Sequence, residues 1–181
     1  MTERHTVSVE TLPPSVEAYR ALRDRLATSP QGGAAMMIVA LLLYSRDAQV
    51  GQACLAVAVD RSQLVAGPHG YRDWQMRNRD LRRIAEQIGA QPYLAQAYIG
   101  GATPENGYRL PELPWTIRFE ANPHSGDPAS GVYKVFVTCS GADHPRPVSM
   151  QRNAHGLWKA REWSSLLTGI RPPVQVVEDD L

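Results

Sequence analysis

The sequence predicts an α+β protein, with an N-terminal helical half over residues 15–99 packed on a C-terminal small antiparallel β-barrel or curled sheet over residues 114–177. Three observations predict it. Apolar residues recur at helical spacing as far as Ile99. The texture then breaks over the connecting segment 100–113, where Gly, Pro and an Asn-Gly pair replace any periodicity. From Trp115 onward apolar and polar residues alternate in twos. The order strand, long loop, three strands, short helix, strand is SH3-like by analogy, and such a likeness carries no function. Residues 1–14 read as an N-terminal lead and residues 178–181 as a solvated acidic tail.

Each element has its own signal. Leu12-Pro13-Pro14 is an extended entry, Ser15 caps a first helix, and Val16, Tyr19, Leu22 and Leu26 share its inner face. Ser29-Pro30 repeats the start signal, because Ser accepts from the free N–H groups of a first turn and Pro fits a position whose N–H is unpaired anyway. The helix that follows is apolar on every side from Ala34 to Tyr44 and so must be surrounded by other elements. Asp47 caps a third helix through Val50, Ala53, Cys54 and Val57, although its Val57-Ala58-Val59 end also reads as strand. Gly67-Pro68-His69-Gly70 breaks the chain. A fourth helix is expected from Tyr71, with Trp74, Leu81, Ile84 and Ile88 inward and Gly89 at its end, followed by a short helical piece over Pro92 to Ile99. In the β half, Trp115, Ile117 and Phe119 mark one strand and Tyr133, Val135, Val137 and Cys139 a second. Val148 and Met150 mark a third, which a turn at Asn153-Ala154-His155-Gly156 joins to a hairpin partner over Leu157 to Glu162. Trp163 to Ile170 is a short helix, and Pro173 to Val177 is expected to close the sheet.

Composition narrows the function classes. The 181 residues are 43% apolar and 20% charged, enough for an ample core, and the formal net charge of +1 gives no global attraction to nucleic acid or an anionic membrane. Cys54 and Cys139 lie far apart without a metal or disulfide framework, which suits a reducing compartment. Met1 to Glu10 lacks the apolar core of a secretory signal, and the Ala34–Tyr44 run is eleven residues where a bilayer needs about 20. The expected location is cytoplasmic, with no membrane partner.

The signatures of common enzyme chemistry are missing. Neither Lys134 nor Lys159 follows a glycine, so there is no phosphate-cradling P-loop, and no dinucleotide fingerprint, nucleophile elbow, HExxH pair or calcium loop occurs. His5, His69, His124, His144 and His155 sit in the lead or in turns without ligand spacing, so neither metal nor cofactor is expected. His124-Ser125-Gly126-Asp127 holds the residue types of a triad, but members so close in sequence cannot approach from separate elements, and a hairpin loop is the simpler reading. Arg72, Arg77, Arg79, Arg82 and Arg83 form a locally cationic stretch, read as a solvated, ion-paired helix face before a dock for phosphate or an acidic partner.

Two loops are richer. In Gly101-Ala102-Thr103-Pro104-Glu105-Asn106-Gly107-Tyr108 a Thr cap and an Asn-Gly turn make a rigid corner, with Tyr108 placed to latch the seam between the halves. In Ser140-Gly141-Ala142-Asp143-His144-Pro145-Arg146-Pro147 the flanking prolines hold Arg146 extended. Arg146 is expected to pair with Asp143, both against half-buried groups, with a ligand carboxylate as the other use. With the closing Trp163-Ser164-Ser165-Leu166-Leu167-Thr168-Gly169-Ile170-Arg171, these segments carry a resemblance. From Leu12 to Pro173 the chain resembles an uncharacterised bacterial domain-of-unknown-function family with GATPxNxY-like, SGADxPRP-like and SSLLxGIR-like motifs. The acidic tail and the long lead depart from that family. The resemblance implies a bacterial cytoplasmic protein with a helical half before a β half, and it brings no activity, cofactor or catalytic residue.

The expected function is a non-catalytic protein-interaction or scaffold module, self-associating or binding another protein. Tyr108, Trp158, Trp163 and Arg171 suit such an interface, although for Trp158 and Trp163 filling the core ranks ahead of contact with a partner. The alternative is a small-molecule-binding protein or enzyme whose site lies at the seam and uses Asn106, Tyr108, Asp143, Arg146 and Arg171. RNA binding through the Arg-rich stretch ranks last, because the net charge opposes it.

Overall fold

The computed structural model describes residues 2–175. Its three leading helices start where their caps dictate. Ser15 Oγ accepts from Ala18 N at 3.2 Å and opens α1 (Val16–Leu26); Ser29 Oγ accepts from Gly32 N at 3.0 Å and opens α2 (Pro30–Arg46). Asp47 Oδ1 accepts from Gln49 N and Val50 N and opens α3 (Ala48–Ala58). Every residue of α2 from Gly32 to Leu43 is buried. One side of α2 meets α1 and α3, and the other lies on a five-stranded antiparallel sheet. The approach to the sheet is close because Gly33 has no side chain: a Cβ there would stand 2.4 Å from the Trp158 carbonyl oxygen. No helix among the described residues is long and apolar enough to cross a membrane.

The sheet corrects the sequence reading twice. The expected lead contains β1 (Glu3–Val9), which pairs along its whole length with β4 (Trp115–Ala121), so helix-then-sheet is not the element order. Val7 and Val9 alternate with polar residues as a strand requires, but only Val9 is fully buried, which leaves a weak apolar signal. The sheet continues through β5 (Val132–Val137), β6 (Arg146–Arg152) and β7 (Trp158–Glu162) in the order β1-β4-β5-β6-β7, and it is open, not a barrel. Closure is not needed to protect the β7 edge: Val59 bridges Ala160 in parallel, and Asp60 N donates to Ala160 O at 2.8 Å, so the chain leaving α3 caps that edge.

A third correction concerns residues 64–76. Where a fourth helix was expected from Tyr71, the chain forms a hairpin of β2 (Leu64–Tyr71) and β3 (Trp74–Met76), and α4 runs only over Asn78–Ala90. Arg72 and Asp73 turn the hairpin with φ of 50° and 63°, the left-handed pair of a type I′ turn, although Arg72 is not the Gly, Asn or Asp such a turn favours. That turn is invisible to a composition rule. Trp74 is accordingly 39% exposed and lies off any helical core face. The closing segment of the sequence reading is a 3-10 turn over Ser164–Leu167. Of the strand expected at Pro173–Val177, the described residues 173–175 are not strand, and the remainder lies outside the described residues with the acidic tail.

Candidate functional site

The residues singled out from sequence are held by one another. Asn106 Oδ1 accepts from Thr103 N at 3.0 Å and Arg109 N at 3.1 Å, while its Nδ2 donates to Gly101 O at 2.8 Å, so its amide builds the corner. Tyr108 is buried, stacked on Tyr93 with ring centroids 4.9 Å apart, and its hydroxyl donates to Arg171 O at 2.6 Å. Asp143 pairs with Arg171, Oδ1 to Nη1 at 2.6 Å, and not with Arg146; Arg146 Nη2 donates instead to Gly169 O at 3.0 Å. Gly169, at φ +69°, makes this possible, because a Cβ there would stand 2.9 Å from the Arg146 guanidinium. The Arg171 guanidinium, by hydrogen bond and charge, holds the Asp143 carboxyl below its ordinary range. The Asp143 side chain is 79% exposed, so the half-buried partner expected from sequence is not there. Tyr108, Asp143 and Arg171 thus come together as a latch with Arg146 beside it, Asn106 stays in its own turn, and Trp158 and Trp163 are core residues.

Of the triad-like loop, Ser125 Oγ accepts from Asn122 N at 3.0 Å and Asp127 Oδ1 accepts from Ala129 N at 2.9 Å, so both stabilise turns. Among the described residues no three of His, Cys, Asp and Glu cluster with metal-binding geometry.

A different place gathers unspecialised residues into a site. Between α1, the end of α3, the β2–β3 hairpin and the β6–β7 turn lies a groove of about 470 Å³. Arg20 and Arg23 line it from α1, Arg61 from the 3-10 turn over Arg61–Gln63, Arg72 from the hairpin tip and Lys159 from β7. The one acid in the wall is Asp60, whose Oδ2 accepts from Ser62 N at 3.1 Å and Ser62 Oγ at 2.5 Å and so caps that turn. Five cations therefore face one carboxylate already in use.

Aromatic rings hold these cations in place. The Arg20 and Arg72 guanidiniums lie 5.2 and 5.0 Å from the Tyr71 ring centroid, Arg20 Nη1 also donates to the Tyr71 hydroxyl at 2.9 Å, and Arg61 lies 5.0 Å from the Trp74 centroid. Arg23 is tied to Asp24 at 2.8 Å. At the inner wall, Lys159 Nζ donates to Val57 O, one of the carbonyls that the end of α3 leaves without a helical partner. Burial, and then the Arg23 charge, push the Lys159 ammonium down to about 8; Asp60 and Asp24 act the other way. Nothing in the sequence groups these residues, since they span positions 20 to 159 and the hairpin that carries Tyr71, Arg72 and Trp74 reads as helix. One signal was available: Lys159 is one of two lysines beside seventeen arginines, and it sits between Trp158 and Ala160, both core residues.

These features define an α+β protein with an open sheet and a cationic, aromatic-braced groove on the α3 and hairpin side. The chain belongs to the family described as a domain of unknown function, DUF6935, whose profile matches residues 11–174. The edge strand β1 lies ahead of the matched residues. No curated protein and no solved structure matches the chain.

Proposed function

We propose that the protein is a non-catalytic interaction module of the bacterial cytoplasm, and that the groove between α1, α3 and the β2–β3 hairpin receives an acidic segment of a partner protein. One observation carries this reading: five cations and one engaged carboxylate line an open groove in a chain whose net charge is only +1. Cation excess concentrated in one concave surface steers and binds an anionic partner without a basic protein overall. The aromatic braces limit the motion that binding must freeze, which favours recognition. Cys54 and Cys139, buried and unpaired, support the reducing compartment.

The small-molecule alternative keeps one argument, since a groove of about 470 Å³ lies within the size range of ligand pockets and does sit between helices and strands. That groove's lining excludes Asn106, Tyr108, Asp143, Arg146 and Arg171; Asp143, Arg146 and Arg171 line a separate pocket of about 420 Å³, where Asp143 is already paired with Arg171 and Arg146 with Gly169 O. Fluorescence anisotropy with a labelled Glu-rich peptide tests the interaction reading. The wild type should bind it with an affinity that falls as salt rises, and the double variant Arg61→Glu, Arg72→Glu should not bind. Equal binding by both proteins would contradict the reading.

A further inference from the structure

We infer that the inner wall of the groove, around Lys159, Arg20 and Arg23, is a binding site for a phosphate monoester. The inference rests on the groove reading above and names the group that the groove prefers.

A single carboxylate carries one charge and two oxygens; a phosphate monoester carries close to two charges at neutral pH and three terminal oxygens. The groove presents guanidiniums from α1, the Arg61 turn and the hairpin tip, and an ammonium from β7. Its own carboxylate, Asp60, is held by Ser62. With Asp60 in the wall and Asp24 paired to Arg23, three of the five cations lack a counter-charge, and one carboxylate ligand would leave two of them facing each other. An ammonium has three N–H donors, and the Val57 carbonyl takes one of Lys159's, so two remain for a ligand. The guanidiniums of Arg20, Arg61 and Arg72 are braced on Tyr71 and Trp74, which preorganises their planar donor forks for phosphate oxygens. The hairpin tip supplies a separate line of support. Asp73 is of a type that tolerates left-handed backbone, but Arg72 is not and holds φ 50°, strain of the kind that persists where the side chain it aims is needed.

Phosphate binding should also move a proton. The charged groups around Lys159 are Arg20, Arg23 and Asp24 of α1 and Asp60 beyond α3, with His155 of the β6–β7 turn lining the same groove. The ammonium is destabilised by burial and by the two arginines, so above pH about 8 much of Lys159 is neutral in the free protein. A bound dianion stabilises the ammonium, and binding then takes up a proton. The monoester itself is already fully ionised at that pH and releases none.

Isothermal titration of the full chain tests this with three probes: inorganic phosphate, a phosphoserine peptide, and the same peptide with Glu in place of phosphoserine. Each is titrated below and above pH 8 in buffers of different ionisation enthalpy. The expected result is binding of inorganic phosphate and of the phosphopeptide, the latter about tenfold or more tighter than the Glu peptide. Proton uptake should be confined to the higher pH, and both binding and uptake should be lost in Lys159→Met. Arg72→Ala, at an exposed turn, should weaken phosphate about tenfold and serves if Lys159→Met does not fold. Equal affinity for the phosphoserine and Glu peptides, or phosphate binding undiminished in both Lys159→Met and Arg72→Ala, would overturn the phosphate site while leaving the acidic-segment reading intact. Inorganic phosphate bound as tightly as the phosphopeptide would support the phosphate site, assign its source to a small phosphorylated molecule, and overturn the partner reading. No binding of any probe would overturn both.

Discussion

At the scale of single residues, the hairpin tip separates stability from function. Arg72 and Asp73 occupy left-handed backbone at φ 50° and 63°, where a side chain costs of order 1 kcal/mol or more per residue. Replacing Asp73 with Gly should relieve that strain and raise unfolding free energy by roughly 0.5–1 kcal/mol in urea melts, with peptide binding unchanged. Arg72→Gly should stabilise similarly and weaken binding, and the contrast between the two variants assigns the strain to Arg72's role. Asp143 gives the opposite lesson. Sequence reading placed its carboxylate against a half-buried partner, which would make its loss costly, but the Asp143–Arg171 pair is solvent-exposed on both sides. Exposed pairs contribute little. Asp143→Ala should therefore leave the thermal unfolding midpoint essentially where it was, as differential scanning calorimetry will show. The Gly and Pro framework made the loop legible; it could not reveal that Gly169, 23 residues beyond Arg146, draws that arginine away from Asp143.

At the scale of elements, legibility followed the strength of local chemistry. Ser15, Ser29 and Asp47 each hold the N–H groups of a helix start, and all three starts stand where the sequence placed them. The β2–β3 hairpin was missed because Arg72 stands where its turn favours Gly, Asn or Asp and because Leu81, Ile84 and Ile88 give α4 a helical period that extends back to Trp74. Strand β1 was missed because three of its first residues are charged or titratable and only its last is fully buried. The packing of α2 on β7 offers a direct test. A methyl at Gly33 would meet the Trp158 carbonyl oxygen at 2.4 Å and its Cβ at 2.9 Å, and backbone on both sides limits relaxation. Gly33→Ala should cost roughly 3 kcal/mol in denaturant unfolding despite its gain in helix propensity. A neutral or stabilising result would mean that the helix sits farther from the strand.

At the scale of the whole molecule, the groove exists only because the topology brings α1, the exit of α3, the hairpin and β7 to one side, and none of its cations is close in sequence to all the others. The cost of that gathering should appear in the pH dependence of stability. Lys159 has a folded-state value of about 8, below its unfolded value, so between the two the unfolded chain binds more protons and this group makes stability rise with pH. Tyr19, Tyr98 and Cys54, whose burial raises their values, act in the opposite direction in alkali, because their unfolded forms ionise first. The difference between wild type and Lys159→Met isolates the lysine. That difference should shift in favour of the wild type as pH rises above about 8, read from parallel urea melts at each pH.

On the function proposed above, the groove receives the partner and the Tyr108, Asp143 and Arg171 latch does not. Chemical-shift mapping during titration with a Glu-rich peptide tests it most directly, because arginine side-chain and tryptophan indole N–H signals report each place separately. The groove predicts saturable shifts at the Arg20, Arg61 and Arg72 Nε–H signals and the Trp74 indole, with the Arg171 signal unmoved. Shifts centred on Arg171 and Arg146, with the groove signals still, would contradict it.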